Sequence, residues 1–431
     1  MKIPGALISL VFPALLILAA CSSGDSSPAG SGTPTSPAAS GAGTPWPGDG
    51  EIVLGMTSDL AGTGKTPYRA ITASIQAYFQ KVNEEDHGVC GRTVTLLAED
   101  DQYNPQLAVD QTKKLVEQDQ VLAMIAGLNT QAQLLTAPYL NDPNGDGNTA
   151  DGVPDLFLST GWSGWGDAAR FPWTIGYVPD YASDGRALGR YIAQAFPDKK
   201  VGLLYQNDEF GADYLAGLKS GLARSLALEQ AYQLTDMTLN APMAAIRDAG
   251  AEVVVLASMP PYTASAYRAA QSLAFRPQFL MSYVNTTSAL ASDLGGGPQP
   301  EKLLAGFKEL DGTISTVYLL STVEDENDAA MKEHRRIMET YQGPAVSSLS
   351  VYGQSLGELA VETLKRTCSD LSRPGLLRAA ESVRGYSSSL MLPGIQVNLG
   401  PDQHRAIETL QLVQIRGDGS TAKLGGLVPA E

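Results

Sequence analysis

Residues 51–55 read Glu-Ile-Val-Leu-Gly, and the segment after them changes from a compact apolar run to a longer hydrophobic period. The first run is typical of a buried β-strand. The second segment begins at Thr66-Pro67, a polar residue followed by proline, which is a common start of a helix. Its apolar residues then recur at helical spacing, at Ile71, Ile75, Tyr78, Phe79 and Val82. Together the two segments predict one strand–helix unit.

The same alternation continues through most of the chain. Further strands are predicted at residues 93–98, 121–126, 155–159, 201–205, 252–256 and 277–281. Helices are predicted from Asn104-Pro105, near Tyr181, through Leu215 and Leu222, from Thr263, and over residues 325–341 and 352–366. Residues 394–415 read as strands with a turn near Pro401. Strands that alternate with helices predict an α/β fold with parallel, doubly wound sheets.

The length and the charge limit the architecture and the partners. The body from Glu51 onward has about 380 residues, and a single hydrophobic core stops growing beyond roughly 250–300 residues, so two lobes are expected. The chain has 30 basic and 46 acidic residues, a net charge of −16. An acidic chain is a poor partner for polyanions, and we therefore expect no nucleic acid partner.

The N-terminus predicts export. Met1-Lys2-Ile3 gives a positive start, and the apolar run Ala6–Ala20 is too short to span a membrane. The run ends in Leu18-Ala19-Ala20-Cys21, which resembles the cleavage box of bacterial lipoproteins. The resemblance implies a signal peptide over residues 1–20 and a lipid on Cys21. An ordinary secretory signal with an incidental cysteine is the alternative.

Residues 21–50 predict a tether between this anchor and the body. From Ser22 to Gly50 the sequence consists almost entirely of Ser, Gly, Pro, Ala and Thr. Such a composition buries too little apolar area to offset the entropy of ordering, so we expect a flexible linker. The mature protein is then expected at the outer face of the cytoplasmic membrane or in the periplasm, attached to the membrane through the lipid alone.

Two further cysteines remain after Cys21. Cys90 and Cys368 form an even pair in a chain that is predicted to be exported to an oxidising compartment. A disulfide and two buried free thiols both remain open on these grounds.

A series of short motifs resembles one known family. They are Glu99-Asp100-Asp101-Gln102-Tyr103-Asn104-Pro105, Val121–Gly127, Gly152-Val153-Pro154 leading to Ser159-Thr160-Gly161, Val201–Tyr205 with Phe210-Gly211, Tyr352-Gly353 and Gln403-His404-Arg405. Their order from Glu51 to the C-terminus resembles that of type I periplasmic binding proteins of the branched-chain amino acid (leucine/isoleucine/valine-binding) family, the solute receptors of ABC importers.

The resemblance has structural implications. It implies two Rossmann-like lobes joined by three crossovers and closing on a ligand. Lobe 1 would contain residues 51–179 plus 284–393, and lobe 2 residues 180–283 plus 394–431. It also implies that the chain near Cys368 returns to Cys90, which favours the disulfide.

The loops that follow the strands are the expected binding site, because open α/β sheets bind ligands at the carboxyl ends of their strands. The candidate ligand-binding residues in these loops are Asn129, Thr130, Gln131, Ser159, Gly161, Trp162, Ser163, Phe210, Tyr262, Tyr283 and Asn285. By resemblance, Thr130 or Gln131 and then Gly161 and Ser163 would hold a carboxylate. Phe210, Tyr262 and Tyr283 would approach from lobe 2.

One departure from the family concerns the ligand. Amino-acid-binding relatives place an acid after the last strand of lobe 2 to receive the ligand's ammonium, but residues 281–285 read Met-Ser-Tyr-Val-Asn. Asp208 or Glu209 would have to substitute, or the ligand carries no ammonium. We therefore expect an amino acid or a related small carboxylate, delivered to an ABC permease. The alternatives are an ammonium-free aromatic acid, an amide or a urea, or a sensor of the same fold.

Motifs for catalysis are incomplete. Gly62–Thr66 lacks the first glycine of a phosphate loop, because residue 59 is Asp. Gly161–Trp165 ends in Trp where a nucleophile elbow has Gly. Among the three histidines, His87 and His334 lie on polar helical stretches and are expected to face solvent; the third is His404. We therefore predict a binding protein and not an enzyme, with no required cofactor.

One loop resembles half of a calcium site. Asp142, Asn144 and Asp146 alternate as oxygen ligands, but the twelfth position is Val153 and not a bidentate acid, so Asp151 or Asp155 would have to serve in its place. The sequence therefore permits a structural Ca²⁺ here, and a polar, glycine-rich insertion is the alternative.

Overall fold

The structure is a computed structural model and describes residues 50–61, 65–236, 238–285 and 288–429. The predicted signal peptide, Cys21 and residues 22–49 of the predicted linker lie outside the described residues. Within the described ranges, no helix is both long and apolar enough to cross a membrane.

The strands form two sheets. The first has the order β2-β1-β3-β4-β5, and all its strand pairs are parallel. Its strands are β1 (Glu51–Ser58), β2 (Thr93–Asp100), β3 (Ala123–Ile125), β4 (Asp155–Leu158) and β5 (Thr174–Gly176). The second sheet contains β6 (Val201–Gln206), β7 (Leu228–Tyr232), β8 (Val253–Ala257), β9 (Gln278–Met281), β10 (Ile314–Val317), β11 (Thr409–Ile415) and β12 (Thr421–Pro429), in the order β12-β11-β10-β9-β8-β6-β7. In it, β11 pairs antiparallel with both β10 and β12, and the other strand pairs are parallel. The predicted α/β fold with parallel sheets is confirmed.

Helices connect these strands, and several start where the sequence predicts. They are α1 (Lys65–Glu85), α2 (Pro105–Glu117), α3 (Thr130–Asn141), α4 (Tyr181–Ala195), α5 (Glu209–Leu222), α6 (Asn240–Asp248), α7 (Pro260–Ser272), α8 (Ser288–Gly295), α9 (Pro300–Glu309), α10 (Ala329–Thr340), α11 (Ser348–Arg366) and α12 (Arg373–Glu381). Asn104 caps α2, accepting from the backbone N–H groups of Gln106 and Leu107. Helix α11 begins four residues earlier than predicted because the Ser347 side chain caps it.

Strand β10 corrects the predicted lobe boundaries. It pairs parallel with β9 and antiparallel with β11, so it belongs to the second sheet, whereas residues 284–393 were assigned to lobe 1. The sequence signal is weak because two of the four residues, Ser315 and Thr316, are polar although buried. The Ser315 hydroxyl donates to the Met281 carbonyl at 2.8 Å, and Thr316 bonds to Asp184, which makes their burial possible. The chain therefore leaves the second sheet after Val317 and not at Val284.

A second correction concerns the C-terminal segment. Residues 394–431 were assigned entirely to lobe 2, but Arg405 forms a bridge with Gly176 of β5 in the first sheet. Two backbone bonds of 2.9 Å fix this contact, from Gly176 N to His404 O and from Ala406 N to Gly176 O. The chain passes along the edge of the first sheet before it enters β11.

The predicted disulfide is present. Cys90 and Cys368 are bonded, with an S–S distance of 2.07 Å and a sequence separation of 278 residues. Cys90 lies just before β2, and Cys368 follows α11. The bond therefore ties the late helices to the early strands of the first sheet.

Candidate ligand-binding site

A cavity of about 430 Å³ lies at the carboxyl ends of strands from both sheets. Its lining includes residues that follow β2, β3 and β4 in the first sheet and β6, β8 and β9 in the second. This is the edge at which parallel sheets present loops and helix N-termini to ligands. The cavity therefore lies at the edge of the sheets where the strand order predicts a ligand site.

Aromatic rings dominate the inner part of this cavity. The rings of this inner part belong to Tyr68, Tyr103, Tyr181, Phe210, Tyr283, Tyr318 and Tyr352. Tyr68 and Tyr103 are stacked, with ring centroids 6.1 Å apart and planes inclined by 9°. The Tyr181 and Phe210 rings are 4.4 Å apart. Such rings offer apolar faces and hydroxyl tips to a small solute.

Polar groups after β3 and β4 form what we call the first-sheet wall, consisting of Asn129, Thr130 and Ser159. The Asn129 side chain caps α3 and donates to the Tyr103 carbonyl at 3.1 Å. The Thr130 hydroxyl bonds to that of Thr160 at 2.6 Å. The Ser159 hydroxyl accepts from Tyr352 at 2.6 Å. Because a hydroxyl has one hydrogen and two lone pairs, Ser159 keeps its own hydrogen for an oxygen of a ligand.

Residues after β6 and β9 form the second-sheet wall, consisting of Asp208, Phe210, Tyr283 and Asn285. Asp208 caps α5, accepts from Gly211 N at 3.2 Å and also bonds to Gln206. Burial raises the pKa of the Asp208 carboxyl above its ordinary value, and these hydrogen bonds partly offset the rise. Asn285 is fully buried and donates to the Ser258 carbonyl at 2.6 Å, but its side-chain oxygen has no hydrogen-bond partner among the described residues. That oxygen is an acceptor that a ligand donor would satisfy.

A buried carboxyl behind the second-sheet wall fixes Tyr283. Asp184 of α4 accepts from the Tyr283 backbone N–H at 3.2 Å and from the Thr316 hydroxyl. Burial raises the pKa of Asp184 to about 6, while the hydrogen bonds oppose the rise. The Tyr283 hydroxyl donates to the Pro179 carbonyl at 2.7 Å, and its ring contacts Tyr318 edge-on at 5.6 Å. Asp184 therefore positions a cavity residue without lining the cavity.

Six of the predicted binding residues line the cavity, and five do not. Asn129, Thr130, Ser159, Phe210, Tyr283 and Asn285 line it. Gln131 is exposed at the start of α3, away from the lining. Trp162 packs on Trp165 and Phe171, and Tyr262 packs on Tyr232 with its hydroxyl on the Leu234 carbonyl. Gly161 lies beneath Tyr283, where a Cβ atom would be 2.6 Å from the tyrosine hydroxyl.

Ser163 binds a carboxylate, but the carboxylate belongs to the protein. Its backbone N–H and its hydroxyl donate to the two oxygens of Asp213, at 2.8 and 2.6 Å. Asp213 lies on α5, which follows β6 of the second sheet, whereas Ser163 follows β4 of the first. The carboxylate that Ser163 binds in this structure is thus the one of Asp213, and Ser163 does not line the cavity.

Several lining residues were not predicted as site residues. Tyr68 and Tyr352 lie on α1 and α11, Tyr103 follows β2, and Tyr318 follows β10. Tyr181 starts α4 directly after its cap, Asp180, and Gln206 ends β6. Three of them could have been predicted from their place in the sequence. Tyr103, Tyr181 and Gln206 each lie at a strand end or a helix start, as the predicted residues do.

The histidines do not line the cavity. His334 is fully buried, contrary to the prediction of a solvent-exposed face, because its ring nitrogens bond to Gln354 and Ser350 at 2.8 Å each. Burial lowers the pKa of His334 below its ordinary value. His404 is also buried and bonds to the Thr174 carbonyl, and His87 is exposed.

The loop with Asp142, Asn144 and Asp146 forms bonds within itself. Asp142 accepts from Gly145 N at 2.9 Å and from Gly147 N at 2.9 Å, one on each carboxylate oxygen. Asn144 donates to Asp146 and to Asp151, at 3.2 and 2.8 Å. Among the described residues, no group of three or more His, Cys, Asp or Glu side chains is arranged to hold a metal ion. This bonding fits the polar-insertion alternative, and the calcium site stays a prediction.

A model of the periplasmic binding protein family matches residues 51–420. The chain belongs to the periplasmic binding protein family. Among curated proteins, an amino acid binding protein of Pseudomonas aeruginosa is 26% identical over 228 residues, a region that covers 51% of this chain and 57% of that relative. The alignment thus spans less than two thirds of the relative.

Solved structures show the same fold for this periplasmic binding protein. A branched-chain amino acid ABC transporter protein from Thermus thermophilus with bound valine has a TM-score of 0.76 at 16% identity, covering 88% of this chain and 96% of that chain. A solute-binding protein from R. palustris in complex with benzoate has a TM-score of 0.70 at 16% identity, covering 88% and 98%. The resemblance inferred from the order of the motifs is confirmed.

Proposed function

We propose that this periplasmic binding protein captures one small solute with a carboxylate and an apolar or aromatic body. The observation that carries the proposal is the cavity between the two sheets, where hydroxyl and amide groups of the first-sheet wall face a group of aromatic rings. Pockets that combine mostly apolar walls with a few directed polar groups are typical of small-molecule sites.

The carboxylate is assigned to the first-sheet wall. Ser159 retains a hydrogen to donate, and the Thr130 hydroxyl forms a hydrogen bond with the Thr160 hydroxyl. Among the described lining residues the only cationic side chain is Lys423, which lies on β12 away from this wall. Hydroxyl and backbone N–H donors therefore bind the carboxylate, and an apolar body lies against Tyr103 and Phe210.

The second-sheet wall is where the ammonium of a ligand would lie. Asn285 offers one unpaired oxygen, and Asp208 already accepts two hydrogen bonds. A neutral acceptor receives an ammonium less strongly than a carboxylate does. Both an apolar amino acid and an ammonium-free aromatic acid fit this arrangement, and the relatives crystallised with valine and with benzoate support the two classes.

Delivery to a membrane importer is part of the proposal. The amino acid ABC transporter relative supports an ABC permease as the partner, and the sequence of residues 18–21 supports a lipid on Cys21. Replacement of Cys21 by Ser is expected to release the protein from membranes or to leave an unprocessed precursor. Full retention of a normally processed Cys21→Ser protein would disprove the anchor without affecting the binding site.

Calorimetric titration tests the binding proposal. The panel contains apolar and aromatic amino acids, benzoate and phenylacetate, their amides, a urea, a neutral sugar and a quaternary ammonium compound. We expect binding of at least one carboxylate, with Ser159→Ala weaker by about 1–3 kcal/mol because a buried carboxylate oxygen loses a donor. Ser382→Ala is the matched control, since Ser382 is the C-cap of α12, donates its hydroxyl to Ala379 O and does not line the cavity. Binding of the sugar or the quaternary ammonium compound while every carboxylate fails would overturn the proposal.

A further inference from the structure

The cavity does not end at the aromatic rings. Beyond Tyr318 its lining continues along one face of the second sheet, through Val317 of β10 and Gln411, Val413 and Ile415 of β11. Alternate residues of a strand share a face, and Val317 pairs directly with Gln411. The lining of the cavity therefore follows the sheet away from the cleft over several residues.

Other segments enclose this extension, which we call the side chamber and define by Phe307, Val317, Leu320, Leu392, Val413 and Ile415. Phe307 of α9 lines one side. Residues 319–325 lie over the strands, because the Glu324 carboxylate accepts from the Thr421 backbone N–H at 2.6 Å and from its hydroxyl at 2.9 Å. Leu392 closes the end nearest the cleft, where its backbone N–H donates to Tyr318 O at 3.0 Å.

The chamber is apolar. All six residues that define it are hydrophobic, and two acids of the covering segment, Glu324 and Asp325, accept from Thr421 and from the Ser321 backbone N–H. Thr421 and Lys423, the polar lining residues of β12, are half-buried and exposed, respectively. Burial of one methylene from water stabilises a complex by about 0.8 kcal/mol, so this lining favours an aliphatic chain over a polar group.

The volume is large for an amino acid alone. At roughly 30 Å³ for each water-sized group, about 430 Å³ holds roughly 14 such groups, more than an aliphatic amino acid contains. The size falls in the range of about 300–1,000 Å³ that is typical of pockets for larger ligands. A ligand confined to the aromatic part would leave the chamber without apolar contacts.

We propose that the ligand is amphipathic, with its carboxylate at the first-sheet wall and an aliphatic tail that passes Tyr318 into the side chamber. This inference rests on the proposed function, because it takes the position of the carboxylate from it. It adds a substrate class, namely medium-chain carboxylates and acids with an alkyl substituent of similar length.

A chain-length series tests the inference. Calorimetric titrations with butanoate, hexanoate, octanoate and decanoate are expected to show affinity rising up to about fourfold per methylene until the chamber is filled. Binding of butanoate or benzoate without any gain on lengthening would overturn the inference and leave the proposed function intact. Failure of every carboxylate, short or long, would overturn both.

Variants separate the chamber from the cleft. Val413→Phe fills the chamber and is expected to weaken decanoate at least tenfold while leaving benzoate unchanged. Leu304→Phe is the matched control, since Leu304 lies on α9 but is 41% exposed and outside the lining. If Val413→Phe fails to fold by circular dichroism, Val323→Asp serves instead, because Val323 lies in the segment 319–325 over the chamber, lines the cavity and is 38% exposed. Unchanged decanoate affinity in a folded variant would contradict the inference.

Discussion

The two walls of the cavity are held in place by different means. The first-sheet wall stands on the sheet that the Cys90–Cys368 disulfide ties to the late helices, and its Asn129 caps the adjacent helix. The second-sheet wall depends on one buried carboxyl, because Asp184 binds both Tyr283 of the wall and Thr316 of β10. The difference teaches that the first-sheet wall itself contains no ionisable side chain, whereas the second-sheet wall depends on the bonds of one.

Removal of the Asp184 carboxyl is expected to have the largest effect. Asp184→Ala leaves the Tyr283 N–H and the Thr316 hydroxyl buried with a lost partner, and each such group costs about 1–3 kcal/mol. We expect the free energy of unfolding to fall by about 3–5 kcal/mol in chemical denaturation, with weaker ligand binding as well. Asp184→Asn keeps an acceptor and is the control, with a smaller loss. Equal stability of Asp184→Ala and wild type would remove the contrast between the walls.

Loss of the disulfide tests how much this bond stabilises the part of the protein that carries the first-sheet wall. The Cys90→Ser/Cys368→Ser double variant is expected to lose about 2–5 kcal/mol, because the unfolded chain is no longer constrained by a long closed loop. Thermal unfolding with and without a reductant measures the same effect on the wild type. Identical melting temperatures in both conditions would show that the tie contributes nothing to the first sheet.

Asp155 in the first sheet provides a contrast with Asp184, since both are buried aspartates but neither oxygen of Asp155 has a hydrogen-bond partner. Burial raises the pKa of Asp155 to about 7. The folded state thus binds this proton more tightly than the unfolded state, where the pKa is about 3.9, so stability falls as the pH rises from about 4 to about 7 and then levels off.

Asp155→Asn removes this titration and keeps the size of the side chain. Each pKa unit corresponds to about 1.4 kcal/mol, so we expect the variant to gain about 2–4 kcal/mol relative to wild type between pH 4 and pH 8. Denaturant titrations of both proteins across this range measure the gap. A gap that does not widen with pH would mean that burial does not raise the pKa of Asp155 in the folded protein.

The smallest effect is expected at the loop between α3 and β4. If Asp142, Asn144 and Asp146 hold calcium, the ion adds a second tie to the first sheet and raises its melting temperature when added. The bonds of Asp142 to its own loop predict a weak site at most. The same melting temperature in calcium and in chelator, with no metal by elemental analysis, would leave a polar insertion.

The sequence predicted the fold where apolar periodicity is strong and failed where buried groups are polar. The strand β8 reads Val-Val-Val-Leu-Ala, all buried, and was predicted. The strand β10 reads Ile-Ser-Thr-Val, and its polar residues are stabilised by Met281 and Asp184, which lie far away in the sequence. No local pattern contains those partners.

The residues of the candidate site also divide into those that the sequence predicted and those that it did not. Residues placed by a strand end, such as Ser159 and Phe210, were found because the topology of a parallel sheet dictates where they lie. Tyr352 was missed because α11 meets Ser159 only through a contact between residues 193 positions apart. Tyr318 was missed because its place depends on β10. Ser163 was misassigned because Asp213, its partner, comes from the other sheet.

The crystal structure of a complex with the tightest ligand of the calorimetric panel tests the central claim most directly. The account predicts the ligand carboxylate within hydrogen-bond distance of the Ser159 hydroxyl and its apolar body against Tyr103 and Phe210. A carboxylate on the second-sheet wall, or a ligand outside the cavity between the two sheets, would contradict it.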